Sequence, residues 1–378
     1  MNKEKGFTLI EILVATAILV IFIVGALGLY MRSHRISVDQ QQLAQLQHDV
    51  RSAMFIVSRD IRSAGVGLPR EYSGYFVEGI DGYGPGPINS DAIKIWGNFD
   101  EPLQLVISDY SGGEGGGSAT VFLVDGSLQN QPYNCPEYYE DKIYFIFSVQ
   151  CPGCVAVRYI PENQVHGCQG GGEHLVMPPG QSQLNPPGGL VNGNCDPSCW
   201  RGAIITSAQV KQFWLDTTGD PNDYPDLNLV PGQNGYIGGQ DGINVLYMTE
   251  INLNDQNGSM IHYPLARNIE NLQFQYRRDE DNDGTLEDDE QFVDWDSIWT
   301  NDPTQTSLIR QVRIWILGKT ERPFTGVSGT PPQGMPLLYQ RPPIANSPGS
   351  QTVDRHRRFL LETTVNIRNL SLEIYNQI

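Results

Sequence analysis

The sequence predicts an α+β protein: one long N-terminal helix, half apolar and half amphipathic, packed on a domain rich in antiparallel β-sheet. Three observations predict it. Phe7 to Met31 is an apolar run whose single charge is Glu11. Ile36, Leu43, Leu46, Val50, Met54, Val57 and Ile61 then recur at spacings of three, four and seven, which is one face of a helix. The last third alternates apolar and polar residues with period two, in a chain carrying 40 Gly and 25 Pro, the mark of strands joined by turns.

The N-terminus is a short basic stretch, Met1 to Gly6, with Lys3 and Lys5. The 25 residues that follow would span roughly 37 Å as a helix, enough to cross a bilayer core. A secretory signal peptide is the first alternative. No small-x-small cleavage site follows a short apolar region, and the run passes directly into a helical pattern. An ordinary membrane anchor is the second. Glu11 separates these readings, because a carboxylate inside a membrane helix is costly and calls for a partner or a role. Charge does not settle orientation, since Lys3 and Lys5 are opposed by Arg32 and Arg35. Gly65 and Gly67, followed by Pro69, end the helix near Ala64.

Beyond the helix, Ile93 to Trp96, Leu103 to Ser108 and Thr120 to Val124 read as short strands. Residues 112–118 (GGEGGGS) read as a flexible loop. Residues 129–200 hold all six cysteines: Cys135, Cys151, Cys154, Cys168, Cys195 and Cys199. This segment reads as a stapled loop region around two strands, Ile143 to Val149 and Val155 to Ile160. An even count in an exported protein points to disulfides, of undetermined pairing. The alternative is zinc held by Cys151, Cys154, Cys195 and Cys199. No His follows the CxxC, which excludes haem attachment of the c type. Ile243 to Leu253 and Met260 to Leu265 flank Asn257-Gly258, a hairpin cue. Leu272, Phe274 and Tyr276, then Val312, Ile314 and Ile316, then Phe359, Leu361, Thr363, Val365 and Ile367 each mark one face of a strand.

One stretch carries cation chemistry. Asp279 to Glu290 fits D-x-D-x-D-G-x5-E without a gap. Asp279, Asp281 and Asp283 can converge on one ion as the chain turns at Gly284. The Thr285 carbonyl, Glu287 and Glu290 would complete a calcium shell. A strand rather than a helix precedes the loop, so paired-helix sensing is not implied. The competing reading is a solvated acidic turn.

The formal net charge of −18 argues against nucleic acid as the main partner, because phosphates must be met by Lys and Arg. There is no GxSxG, HExxH or phosphate loop, and the six histidines (His34, His48, His166, His174, His262 and His356) are scattered. No enzyme is expected.

Gly6-Phe7-Thr8-Leu9-Ile10-Glu11 resembles the type IV prepilin signature. Ser58 to Gly65 (SRDIRSAG), Ser90-Asp91-Ala92-Ile93, RQVRIWIL and RRFLLETTVNIRN resemble PilW-type minor pilins in particular. The resemblance covers both ends well and the middle poorly. It implies a leader over residues 1–6, removed by prepilin peptidase between Gly6 and Phe7, with methylation of the new Phe7 amine. It implies a pilin helix over 7–64, with 7–31 in the membrane. Residues 65–378 follow as an extracytoplasmic domain, in which 129–200 is a Cys-rich insertion. Glu11 would meet the N-terminal amine of a neighbouring subunit, each charge relieving the other's desolvation. The implied partners are other major and minor pilins, the inner membrane and the pilus assembly machinery. The implied role is initiation or capping of a type IV pilus. A pseudopilin of a type II secretion system and a pilin-anchored adhesin are the alternatives.

Overall fold

The computed structural model describes residues 9–68, 76–83, 89–99, 105–112, 118–124, 142–148, 150–151, 154–167 without 162, 172–179, 195–217 without 208, 244–251, 260–323 without 284, and 339–367 without 351 and 352, plus a few single residues between. Helix α1 runs from Leu9 to Arg62, about 80 Å at 1.5 Å per residue. Its apolar N-terminal half is exposed throughout. It is the one described helix long and apolar enough to cross a membrane. Burial begins at Leu46 and continues through Val50, Ala53, Met54, Val57, Asp60 and Ile61. Each large apolar side chain among these contributes about 1.5–3 kcal/mol. Ile36, expected on the same face, stands exposed instead, because the head does not reach that far up the helix.

The strands follow in chain order: β1 (Val77–Tyr83), β2 (Ser90–Gly97), β3 (Leu105–Gly112), β4 (Ala119–Leu123), β5 (Lys142–Phe147) and β6 (Val155–Ile160). Next come β7 (Val165–His166), β8 (His174–Met177), β9 (Ile204–Ser207), β10 (Gln209–Asp216), β11 (Val245–Ile251) and β12 (Met260–Arg267). The last are β13 (Ile269–Arg278), β14 (Ile309–Lys319), β15 (Tyr339–Gln340), β16 (Val353–Asp354) and β17 (Arg358–Asn366). A five-stranded sheet has the order β1-β2-β10-β11-β12, and a three-stranded sheet has the order β13-β14-β17. A separate seven-stranded sheet has the order β6-β5-β9-β3-β4-β8-β7. Every described pairing is antiparallel.

The buried half of α1 packs on β14, β17 and β12, and one core joins helix, five-stranded sheet and three-stranded sheet. Gly318 on β14 makes the close approach possible. A Cβ there would lie 2.7 Å from Leu46 Cδ1 and 2.7 Å from Val50 Cγ2. The chain leaves β12 for the second sheet at Asn268, whose φ of 60° turns it within one residue. The three-stranded sheet is covered on both faces, where period two alone implies one. Asn271 and Gln273 are buried on β13, and Trp315 and Leu317 pack with Ile344.

Residues 105–207 differ most from expectation. Read as loops around two strands, residues 129–200 instead supply β5, β6, β7 and β8 to the seven-stranded sheet. That sheet has its own core, with Tyr144, Ile146, Leu175, Trp200 and Ile205 buried together. Strands β3, β4, β5 and β6 fall where the sequence reads short strands, whereas β7, β8 and β9 are only two to four residues long, too short for periodicity to reveal.

Candidate functional site: the stem, its socket and an acidic loop

The exposed half of α1 carries Glu11 in its first turn. Gly6 and Phe7 lie outside the described residues. The stem meets the head through the segment SRDIRSAG. Val57 and Ile61 are fully buried, and Asp60 sits between them on the same face. Asp60 accepts from Lys211 Nζ on β10 at 3.4 Å and from the Arg59 guanidinium at 2.7 Å. Gly65 ends the helix with a φ of 75°, and its N–H donates to the Trp96 carbonyl at 2.7 Å. A Cβ on Gly65 would lie 2.2 Å from the Phe76 ring. The junction is therefore built from a buried ion pair, apolar contacts on either side of it, and a turn that only glycine fits.

Ser90-Asp91-Ala92-Ile93 joins the two sheets of the stem-bearing half. Ser90 Oγ donates to Asn271 Oδ1 at 3.2 Å. Asp91 accepts from the Phe274 N–H at 2.9 Å and the Gly82 N–H at 3.1 Å. Ala92 and Ile93 are fully buried. Burial first, and then the neighbouring Asp81 carboxyl, push the Asp91 carboxyl well above its ordinary range, against the pull of the two backbone N–H groups.

In the seven-stranded sheet, four cysteines come together as two parallel bridges, Cys151–Cys199 and Cys154–Cys195, with Cα atoms 5.5 and 5.7 Å apart. They are the same four that sequence alone would also let hold zinc. They tie the β5–β6 turn to a short 3-10 turn, Pro197–Trp200. Ser148 Oγ closes the arrangement, donating to the Cys199 carbonyl at 2.6 Å and accepting the Cys151 N–H at 3.0 Å. Cys135 and Cys168 lie outside the described residues.

The acidic loop leaves β13 and returns at Val293, which pairs with Tyr276. Carboxylate oxygens of Asp279, Asp281 and Asp283 lie within 4.8 Å of one another. The Asp283 N–H donates to Asp279 Oδ1 at 3.1 Å and to Asp281 Oδ1 at 3.2 Å. Asn282 takes a φ of 58°, which closes the turn. Glu290 is used differently. Its carboxylate accepts the Glu280 N–H at 2.7 Å and the Glu287 N–H at 2.8 Å. Thr285 turns its hydroxyl and N–H onto Asp283, which lowers the Asp283 carboxyl. The Glu287 carboxyl is raised by Asp281 above all, then by Asp289 and Asp283, the direction that crowding by like charges gives. One cation is already built in: Arg310 of β14 meets the fully buried Asp279 at 3.0 Å. The sequence pattern gives no sign of Arg310, which stands 31 residues away.

A model of the prokaryotic N-terminal methylation motif matches residues 1–27. A methylation motif on an exposed apolar helix, whose lower half is socketed in antiparallel sheet, defines a type IV pilin. A model of the type IV pilus-assembly protein W matches residues 236–369, the span that includes β11 to β17. The chain is a PilW-like minor pilin of type IV pilus assembly. RQVRIWIL and RRFLLETTVN fall inside that match as β14 and β17. SRDIRSAG and SDAI fall outside both matches. Among solved structures the chain is similar to a type IV-like pilin from Thermus thermophilus, at 12% identity over 86% of this chain and 97% of that chain. The TM-score of 0.27 is too low for that likeness to carry any argument. No curated protein matches the chain. The motif implies processing by prepilin peptidase and assembly with other pilins, and the matched families are assembly proteins.

Proposed function

We propose that this minor pilin acts at low copy at the initiating end or tip of a type IV pilus, has no enzymatic role, and passes from the inner membrane, as a single-pass protein, into the filament. The observation that carries the reading is the pairing of a bare apolar stem with an unusually large head. Helices buried in a filament core must leave their heads outside. Residues 65–378, with a second sheet of seven strands, would crowd neighbours along a shaft, and a tip removes that constraint. Glu11 on the exposed stem supports a charge pairing with the amine of a neighbouring subunit, since burial of either charge alone is costly.

The test has two parts. Mass spectrometry of the mature protein should find Phe7, methylated, at the N-terminus. An intact Met1 or a cut beyond Met31 overturns the pilin processing. Glu11→Leu should still insert in the membrane but lose co-purification with the other pilins, and pilus number should fall. Normal pili in that variant overturn the pairing. Labelled protein found evenly along shafts overturns the tip position.

We propose further that the acidic loop is a structural calcium site of the head. Asp279, Asp281 and Asp283 already converge, and the crowding on Glu287 is the repulsion a divalent ion would relieve. Glu287 and the Thr285 carbonyl are the further donors. Glu290 would join by exchanging its two backbone N–H groups for the ion. Bound calcium would supply charge neutralisation alone, holding the loop against the end of β13.

A further inference from the structure

The six histidines are scattered in sequence, but the fold brings two of them together. His166 and His174 are direct cross-strand partners on the β7–β8 hairpin, at the end of the seven-stranded sheet. Their ring centres are 4.8 Å apart, with planes inclined by 31°. His166 is exposed and His174 half-buried, against Phe122 of β4 at 5.6 Å. By contrast, His262 is a core residue, buried against Trp214 and within 2.7 Å of Thr249 Oγ1.

The tautomer of His174 is fixed by its partner. Nδ1 lies 2.7 Å from the Gly172 carbonyl oxygen. A carbonyl can only accept, so Nδ1 carries the proton and Nε2 carries the lone pair. A backbone carbonyl on one ring nitrogen is the arrangement that orients a metal-binding imidazole and raises the basicity of the other nitrogen. Two imidazoles sharing one ion at about 2.1 Å place their ring centres about 5 Å apart, close to the separation found here. The hairpin also holds the pair in place. A Cβ on Gly167 would lie 2.6 Å from Glu173 Cα, so the strands close tightly beside the two rings.

We infer that His166 and His174 form a two-imidazole site for a borderline divalent transition ion of the Zn2+, Cu2+ or Ni2+ class. Imidazole selects these ions over Ca2+ and Mg2+, which want oxygen. Among the described residues no carboxylate or thiol joins the pair as a third ligand. Water or a donor from outside the hairpin fills the remaining positions, and the ion exchanges readily. The site is distinct from the acidic loop in both position and chemistry.

The test uses the full, untagged chain in detergent. Titration with Zn2+ should show one site that His166→Ala and His174→Asn each weaken by about tenfold or more. Asn at position 174 can keep the bond to the Gly172 carbonyl but has no second ring nitrogen. His48→Ala, on the exposed face of the helix, should leave the titration unchanged. With one equivalent of Cu2+, electron paramagnetic resonance should show two imidazole nitrogens in wild type and one in His166→Ala. Melting in chelator should be the same for all four proteins, which separates ligand loss from misfolding. Zn2+ curves that superimpose for wild type and both hairpin variants overturn the site. So does the absence of any Zn2+ binding by wild type, in which case the rings are only a stacked pair.

Discussion

Asp60 of the helix and Lys211 of β10 meet in a buried ion pair at 3.4 Å, at the point where the stem enters the head. Asp60 also holds Arg59, and Lys211 reaches Glu250 at 3.9 Å, so the pair is the centre of a short charged chain. Removing one partner of such a pair leaves a buried charge and costs about 3–5 kcal/mol. Asp60→Leu should fall at the lower end, because Glu250 remains near Lys211. Lys211→Met should cost less, because Arg59 remains on Asp60. Joining Lys211→Met with Asp60→Leu should restore much of the loss, since apolar pairs replace buried ions well. Denaturant midpoints of the two singles and the double decide this. A double variant no better than the sum of its parts would show that the two side chains do not interact.

How far the sequence revealed this architecture depends on the periodicity of each element. Helix α1, β13, β14 and β17 repeat their apolar residues with a regular period, and they stand where the pattern puts them. Strand β10 does not. Its sequence QVKQFWLD is buried along almost its whole length between β2 and β11, and the buried Lys211 and Gln212 break any alternation. Strand β1 is obscured by Gly79 and Gly82, the first of which lets Tyr276 and Trp295 pack against bare backbone. The functional residues divide in the same way. Gly6, Phe7, Glu11 and the three aspartates of the loop lie in short linear motifs. Lys211, Arg310 and the His166–His174 pair acquire their partners only through folding. An acidic residue at position 60, between two apolar members of a helical face, is the one sign in the sequence that a buried partner exists.

The two described disulfides are predicted to be non-additive. Cys151–Cys199 joins residues 48 apart, and Cys154–Cys195 joins residues 41 apart inside it. Either alone closes the long loop, worth about 4 kcal/mol in chain entropy. The second then closes only a small ring, worth about 2.5 kcal/mol. Removing one bridge by paired alanines should therefore cost about 2.5 kcal/mol, and removing both about 6.5 kcal/mol, more than twice as much. Urea denaturation of the three variants measures this. Equal losses for single and double removal would mean that the bridges do not act on the unfolded chain in this way.

Asp91 should make the head sensitive to alkali rather than to acid. Its folded carboxyl is raised by burial and by Asp81, so the folded state holds that proton more tightly than the unfolded state. The resulting stability is complete below the ordinary carboxylate value and is lost as pH rises through the raised folded value. Asp91→Asn keeps an acceptor for Phe274 but cannot titrate. From the ordinary carboxylate range upward, the wild type should lose melting temperature relative to Asp91→Asn as pH rises. Parallel curves would show that Asp91 ionises in the fold at no cost.

The acidic loop allows a prediction in which cation and proton act in opposite senses. Glu287 is raised mainly by Asp281, so protonation relieves crowding at low pH, and that relief is lost as pH rises through the raised value. Calcium needs the same carboxylates ionised, and its contribution should grow over that interval. At a concentration one hundred times the dissociation constant, an ion that binds only the folded state adds about 2.7 kcal/mol. Magnesium should substitute poorly, since it keeps its waters and demands a tighter octahedron. The head should therefore melt at higher temperature in millimolar calcium than in chelator. The difference should shrink in acid and vanish in Asp281→Ala with Glu290→Ala. Arg310 supplies an internal control. It already neutralises Asp279 at 3.0 Å, so Arg310→Met should lower stability in chelator and enlarge the gain from calcium. If calcium moves neither wild type nor Arg310→Met, the loop is only an acidic turn and no ion is needed there.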